Sequence, residues 1–152
     1  MDTLTLVQQR VHEYYWRDDA NCATTTLKIL SETLAVEVCD QVIDAALGMH
    51  GAGGYRAQCG LVEGALMFLG IAGRARGFPD EDVVDACQDF ARQFERRFGS
   101  LSCAVLRPEG FRPDLPPHIC EGLTCEAISM SVAFVAGFLE RSIDRRDLSD
   151  GM

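Results

Sequence analysis

The sequence predicts an all-α fold: a single bundle of five or six helices in one domain over 1–152, with a charged, frayed tail from about residue 144. Three observations predict it. Apolar residues recur at helical spacing along nearly the whole chain, no stretch shows strand alternation, and the interruptions fall at glycine and proline. The 152 residues are 47% hydrophobic and 24% charged, an ordinary globular composition that leaves disorder or a fibrous repeat without support. A chain of this length buries roughly 70% of the surface its unfolded form exposes, so it needs neither a disulfide nor a metal merely to fold.

Leu4, Val7, Val11 and Tyr14 form an i, i+3, i+7, i+10 stripe, which makes residues 3–16 one amphipathic helix. Asp18 or Asp19 is placed to cap a second helix through Ala23, Leu27, Leu30 and Leu34. Val36, Cys39, Ile43, Ala46 and Leu47 continue the spacing to Gly48, as one bent helix or as two. Residues 48–54 hold four glycines and form a loop or tight turn. A small-residue helix over about 59–72 follows and ends near Gly73 or Gly77. Pro79 opens the next helix, whose first turn carries Asp80, Glu81 and Asp82 where the dipole favours anions. Its buried face is Val83, Cys87, Phe90, Phe94 and Phe98, and Gly99 stops it. Cys103 to about Leu106 is a short turn of helix, and residues 107–117, with four prolines, make an irregular crossing. The last helix starts at Ile119 or Thr124 and runs to Ile143.

Fourteen Lys and Arg against 23 Asp and Glu give a net charge of −9, which argues against nucleic acid or an anionic membrane as a main partner. The longest apolar runs, near Gly60–Gly73 and Ala127–Leu139, are too short to span a bilayer, and Glu63 interrupts the first. No basic segment followed by an apolar run opens the chain, so no signal peptide and no membrane insertion are expected. A cytoplasmic protein is the default expectation.

Seven cysteines are the anomaly in such a chain, since an odd count cannot pair fully and a reducing compartment disfavours disulfides. Cys39 and Cys87 fall on the apolar stripes and read as small buried hydrophobes. Cys59 is different: it opens a helix directly after the glycine-rich turn, where unpaired N–H groups and the positive dipole end favour a thiolate. Gly60 and Gly64, one turn apart, let another backbone or a bulky cofactor approach closely. Cys22 lies in the first turn of its helix, Cys103 just past a helix stop, and Cys120 and Cys125 flank the start of the last helix. On one continuous helix those last two diverge by roughly 140°, so they share a site only if Cys120 precedes regular winding. There is no Cys-x2-Cys, so zinc ribbons, thioredoxin-type pairs and covalent haem lack their signature; Cys120 and Cys125 match only a fragment of a ferredoxin spacing. His50 and His118 stand near this set as further ligand candidates. The Gly51-x-Gly53-Gly54 run follows no strand and is no dinucleotide fingerprint.

The order of these pieces is informative: Asn21-Cys22-Ala23, the glycine-rich turn, Cys59-Gly60-Leu61-Val62-Glu63-Gly64-Ala65-Leu66, Phe98-Gly99-Ser100 with Cys103 and Leu106, then a late cysteine. Together they resemble the C-GCAxxG-C-C family of redox-active proteins, over roughly Asn21 to Phe138. Leu61 stands where that family's central motif usually has Ala, with the cysteine and both glycines kept. The resemblance implies a redox-active or metal- or cofactor-binding protein with four recurring cysteines, here Cys22, Cys59, Cys103 and Cys125. Cys125 is preferred to Cys120 because an apolar helix follows it at once, as in the family. A related region occurs in split-Soret cytochromes c, but without Cys-x-x-Cys-His covalent haem is not implied.

The expected function is a redox or metal-binding helical protein whose thiols converge at one end of the bundle. Cys59 and Cys103 are the expected reactive pair, Cys22, Gly60 and Gly64 the expected cofactor contacts, and Cys22, Cys59, Cys103, Cys120 and Cys125 the candidate metal ligands. The thiols either ligate an iron–sulfur cluster or another soft metal, or cycle a disulfide with Cys59 as the attacking thiol. A redox partner protein is implied. Glu63 and Glu126 are placed to relay protons. The rival is a non-catalytic ligand-binding or dimerising module, in which Gly60-x-x-x-Gly64 serves as a homodimer face and the cysteines are filler.

Overall fold

A computed structural model describes the backbone of residues 2–150 and the side chains of residues 2–141. It is all-α: eight helices and no strand are present among the described residues. Five are long: α1 (Thr3–Trp16), α2 (Cys22–Leu34), α5 (Gly60–Ala75), α6 (Asp80–Phe98) and α8 (Glu121–Asp150). The other three, α3 (Asp40–Ala45), α4 (Gly51–Gly54) and α7 (Cys103–Leu106), have six residues or fewer. The count of eight corrects the expected five or six. The short α7 is the turn expected at Cys103–Leu106, whereas α3 and α4 are short pieces built into the connection between α2 and α5.

Of the expected α1 stripe, Val7, Val11 and Tyr14 are buried, joined by Tyr15, while Leu4 in the first turn is exposed. The cap of α2 is Asn21 rather than Asp18 or Asp19; its side chain accepts from Thr24 N at 2.8 Å. The second helix ends because Ala35 turns left-handed (φ 54°), so the apolar spacing beyond it belongs to a separate element. That break leaves Cys39 at the N-cap of α3 and exposed, not buried on a stripe. Cys87 is half-buried, with its sulfur 3.9 Å from Leu66 O.

The glycine-rich segment is a left-handed turn. Gly51, Ala52, Gly53 and Gly54 have φ of 68°, 55°, 68° and 88°. Such a run costs roughly 1–2 kcal/mol per non-glycine residue, which explains three glycines in four positions.

Helix α5 is the centre of the core. Leu61, Val62, Ala65, Phe68, Leu69 and Ala72 are buried on it, and it packs against α2, α6 and α8, while α1 lies on α8 and α2. Small residues set the spacing: a Cβ on Gly64 would stand 2.7 Å from Ala23 O, and one on Gly73 would stand 2.5 Å from Val83 Cγ2. Phe90 and Phe94 are fully buried on α6, and Phe90 meets Phe134 of α8 edge-on at 5.4 Å. Helix α8 continues to Asp150, past the expected tail boundary near 144. Within it Glu121–Arg141 is long and apolar enough to cross a membrane by length and composition, longer than the Ala127–Leu139 run read from sequence; half of its most apolar window is buried inside the fold.

Candidate functional site

Cys22, Cys59, Cys103 and Cys120 line one cavity of about 560 Å³. Each arrives at a helix start. Cys22 is the first residue of α2, Cys59 the N-cap of α5, Cys103 the first residue of α7, and Cys120 immediately precedes α8. In the long helices α2, α5 and α8 this places unpaired N–H groups and positive dipole ends toward the sulfurs.

Local chemistry explains each placement. Asn21 caps α2 and also donates from Nδ2 to Ala46 O (3.0 Å) and Leu47 O (2.8 Å), fastening Cys22 to the end of α3. A Cβ on Gly60 would collide with Cys22 Sγ and stand 2.6 Å from Met49 O, so only glycine lets that sulfur lie against α5. An isolated antiparallel bridge joins Gln58 and Ser102, with Cys59 N donating to Leu101 O (2.8 Å) and Cys103 N to Ala57 O (2.7 Å). Alternation then puts Cys59 and Cys103 on the same face as diagonal neighbours, a relation that spans about 7–8 Å in an antiparallel pair. Gly51 sits behind Cys103, with 3.2 Å between an added Cβ and Cys103 Cβ.

The roof is aromatic. His118 adopts φ 58°, stacks on Tyr15 at 4.4 Å, meets Trp16 edge-on at 5.6 Å, and pairs through Nε2 with Asp19 at 2.7 Å. Tyr15 OH shares a hydrogen bond of 2.7 Å with the buried Thr124 Oγ1. These contacts dock the entry to α8 on α1 and turn Cys120 toward the cavity. Arg56 Nη2 donates to the carbonyls of Ala104, Arg107 and Pro108 at 2.9–3.1 Å, clamping the chain after Cys103. Arg107 donates from Nε to Gly110 O (2.9 Å) and covers the Phe111 ring at 4.0 Å.

The electrostatics reverse one expectation. Burial, opposed by the Leu61 and Val62 amides and reinforced by Cys103, pushes the Cys59 thiol up to about 11; no side-chain capping hydrogen bond forms. Burial, together with the charges of Cys59 and Cys120, pushes Cys22 up to about 12. Cys103 and Cys120 are also raised by burial, although Arg107 pulls both down and Arg56 pulls Cys103 down. Loss of solvation therefore outweighs the helix dipole, and the thiols stay protonated at neutral pH.

Cys125 is buried and does not line the cavity; burial and then Glu121 raise its thiol. Gly60 lines the cavity, whereas Gly64 faces Ala23 and Thr26, so the Gly60-x-x-x-Gly64 face is filled by α2 of the same chain, not left open for a second copy. Glu63 is half-buried and Glu126 exposed, and neither lines the cavity. His50 and His118 both line it. Among the described residues no three or more His, Cys, Asp or Glu side chains stand close enough together to hold one metal ion, and all seven cysteines are free. The five candidate ligands are thus not a preformed single-ion site: Cys22, Cys59, Cys103 and Cys120 are held at four different helix starts, and Cys125 lies inside α8 away from the cavity. Sequence reasoning missed Arg107, Arg56 and Lys28; an arginine four residues after Cys103, opening the proline-rich segment, was the one signal present.

Among curated proteins and solved structures nothing matches the chain. A family model does, over residues 20–134, a span that holds Cys22, the Cys59–Gly64 motif, Cys103, Cys120 and Cys125. The chain belongs to the C_GCAxxG_C_C family, described as "Putative redox-active protein".

Proposed function

We propose that the chain is a redox protein whose four cavity cysteines, Cys22, Cys59, Cys103 and Cys120, hold a polynuclear iron–sulfur centre. The observation that carries this reading is four sulfurs from four helix starts facing one cavity, with no three protein ligands close enough for one ion. Thiolates suit iron–sulfur centres, and a body of several atoms meets ligands set farther apart than a single ion can reach. Such a centre, when bound, supplies one-electron storage. The chain's own part is to release four thiol protons on loading, to compensate the resulting negative charge with Arg107 and the α2, α5 and α8 dipoles, and to exclude water with Leu61, Leu106 and Leu123. Cys120 rather than Cys125 is the fourth ligand in this reading. It assigns the protein a reducing, cytoplasmic setting and a redox partner protein.

Anaerobic purification and reconstitution, followed by iron and acid-labile sulfide analysis, tests it. Iron, sulfide and visible absorption are expected in the native protein and in Cys125→Ser, and not in Cys22→Ser, Cys59→Ser, Cys103→Ser or Cys120→Ser. Cys59 and Cys103, on one face of the same bridge, favour a second reading: two thiols lose two protons and two electrons to a small organic disulfide and form one disulfide between them. A colourless, metal-free protein with rapidly titrating thiols selects that reading. Unchanged cofactor content and thiol titration in Cys59→Ser and Cys103→Ser select the binding-module rival.

A further inference from the structure

The four cavity sulfurs are not held equally. Cys22 is fixed by the Asn21 cap, which accepts from Thr24 N and donates to Ala46 O and Leu47 O. Cys59 and Cys103 are fixed by the Gln58–Ser102 bridge, through Cys59 N to Leu101 O (2.8 Å) and Cys103 N to Ala57 O (2.7 Å). Arg56 then fastens the chain just beyond Cys103. Each of these ties joins segments far apart in sequence. The backbone of Cys120 has no such tie among the described residues: its carbonyl accepts from Thr124 N (2.8 Å), within its own helix entry. Residues 111–117 before it are largely exposed, and their hydrogen bonds, Leu115 N to Arg112 O and Arg112 to Asp114, stay within the segment.

What places Cys120 is the pair of side chains on either side of it. His118 reaches Asp19 (2.7 Å) and stacks on Tyr15 (4.4 Å). Glu121 accepts from Trp16 Nε1 (3.0 Å) and lies 2.9 Å from His12 Nδ1. All four partners sit on α1 or just past its end. Asp19, Trp16 and His12 are exposed, and exposed polar pairs hold weakly. His118 also carries φ 58°, a left-handed conformation unfavourable to a side chain, which relaxes once its contacts break. The nearest buried hydrogen bond beyond Cys120 is that of Tyr15 OH with Thr124 Oγ1. The weakly held stretch thus runs from residue 111 to residue 123, and Cys120 is the one cavity sulfur inside it.

We propose that Cys120 is the releasable sulfur of the four, and that His118 on Asp19 and Tyr15, with Glu121 on Trp16, is the latch that holds it in the cavity. Breaking the latch unwinds the entry to α8 as far as Thr124 and carries Cys120 out, while Cys22, Cys59 and Cys103 stay in place. One consequence rests on the iron–sulfur reading: a released Cys120 leaves a bound centre on three sulfurs, with one position open to a small thiol or carboxylate. The latch itself stands on the cavity geometry and is tested without any centre.

Iodoacetamide on the reduced, metal-free full chain, followed by peptide mass spectrometry, gives a labelling rate for each cysteine. In Asp19→Asn, Cys120 is expected to label about two- to fivefold faster, and in His118→Ala, which also loses the ring stack, about tenfold faster. The gains at Cys22, Cys59 and Cys103 are smaller, and Cys87 on α6 keeps its native rate. Combining Asp19→Asn with His118→Ala adds nothing further, because Asp19 has already lost its partner; a purely electrostatic effect of Asp19 on the thiol would add. Unchanged Cys120 labelling in both single variants, equal gains at all four cavity sulfurs, a quickened Cys87, or a double variant that sums the two effects overturns the latch. Thermal unfolding shows whether each variant is folded, and His118→Phe, which keeps the stack and loses the ion pair, replaces a His118→Ala that is not; its expected gain is then that of Asp19→Asn. A native chain that takes up no iron or sulfide overturns the iron–sulfur reading and leaves the labelling result standing.

Discussion

Replacing Gly64 with alanine adds one methyl group where α5 crosses α2. Built onto the backbone, that carbon lies 2.7 Å from Ala23 O, 2.9 Å from Thr26 Cβ and 3.2 Å from Ala23 Cα. Two of the three obstructing atoms are backbone, so no rotamer change relieves the clash and the helices must separate. Overpacking of this kind costs about 1–3 kcal/mol, and the need to move backbone puts Gly64→Ala near the upper end. Alanine's better helix propensity returns about 1 kcal/mol, leaving a net loss of about 1–2 kcal/mol. For a chain of this size that lowers Tm by roughly 2–8 °C. Gly70→Ala is the matched control: same helix, same added methyl, and nothing within 4 Å of it. It keeps the propensity gain of about 1 kcal/mol, so the two variants differ by about 2–3 kcal/mol. Denaturant unfolding followed by circular dichroism measures the difference. Equal stability of the two variants would refute the close α2–α5 approach, and with it the account of why a glycine one turn after Gly60 is needed beside Cys22.

Stability declines at alkaline pH. Thiols raised to about 12 at Cys22 and about 11 at Cys59 hold protons that the unfolded chain releases from about pH 9. Their contribution is whole below pH 9 and is lost as pH rises through 11 and 12, at about 1.4 kcal/mol per pH unit per thiol. Urea midpoints at pH 8 and 10.5 check this, and a smaller decline is expected in Cys22→Ala. Ala52→Gly removes the one side chain from the left-handed run and stabilises by about 1 kcal/mol, read as a rise in Tm. Arg56→Met leaves three carbonyls without their donor; hydrogen exchange is expected to quicken across residues 103–110 while α5 stays protected. Iodoacetamide at pH 8 labels exposed Cys39 before buried Cys59, Cys103 and Cys125, and peptide mass spectrometry gives the order. Early labelling of Cys59 contradicts the burial that raises its thiol.

The fold was legible where a stripe runs unbroken. Residues 3–16 and the Phe90–Phe94 face appear in the structure as their spacing predicts. Legibility failed where the backbone turned at a residue that carries no turn signal: Ala35 adopts a left-handed conformation normally left to glycine, and the apolar spacing simply continues past it. The cap of α2 was ambiguous because Asp18, Asp19 and Asn21 all suit the role; the reach of Asn21 to Ala46 and Leu47 is a tertiary fact. At the site, the helix-start positions of Cys22, Cys59 and Cys103 were readable from glycine and capping chemistry. The direction of the Cys59 shift was not, because the apolar surroundings that remove water from it come from distant parts of the chain. Whether Cys120 or Cys125 turns inward depends on how His118 anchors to Tyr15 and Asp19, contacts across about a hundred residues that no local pattern encodes.

Cys22 and Cys120 belong to opposite ends of the polymer and face the same hollow. A bridge between them acts chiefly on the denatured chain, as a tether closing a loop of about a hundred residues, which is worth about 4.7 kcal/mol. Under the proposed iron–sulfur reading, occupancy and durability would be one property: a molecule carrying the bridging centre would resist proteases and heat, and one lacking it would turn over sooner. Cellular abundance of this chain would therefore track the supply of whatever links those sulfurs.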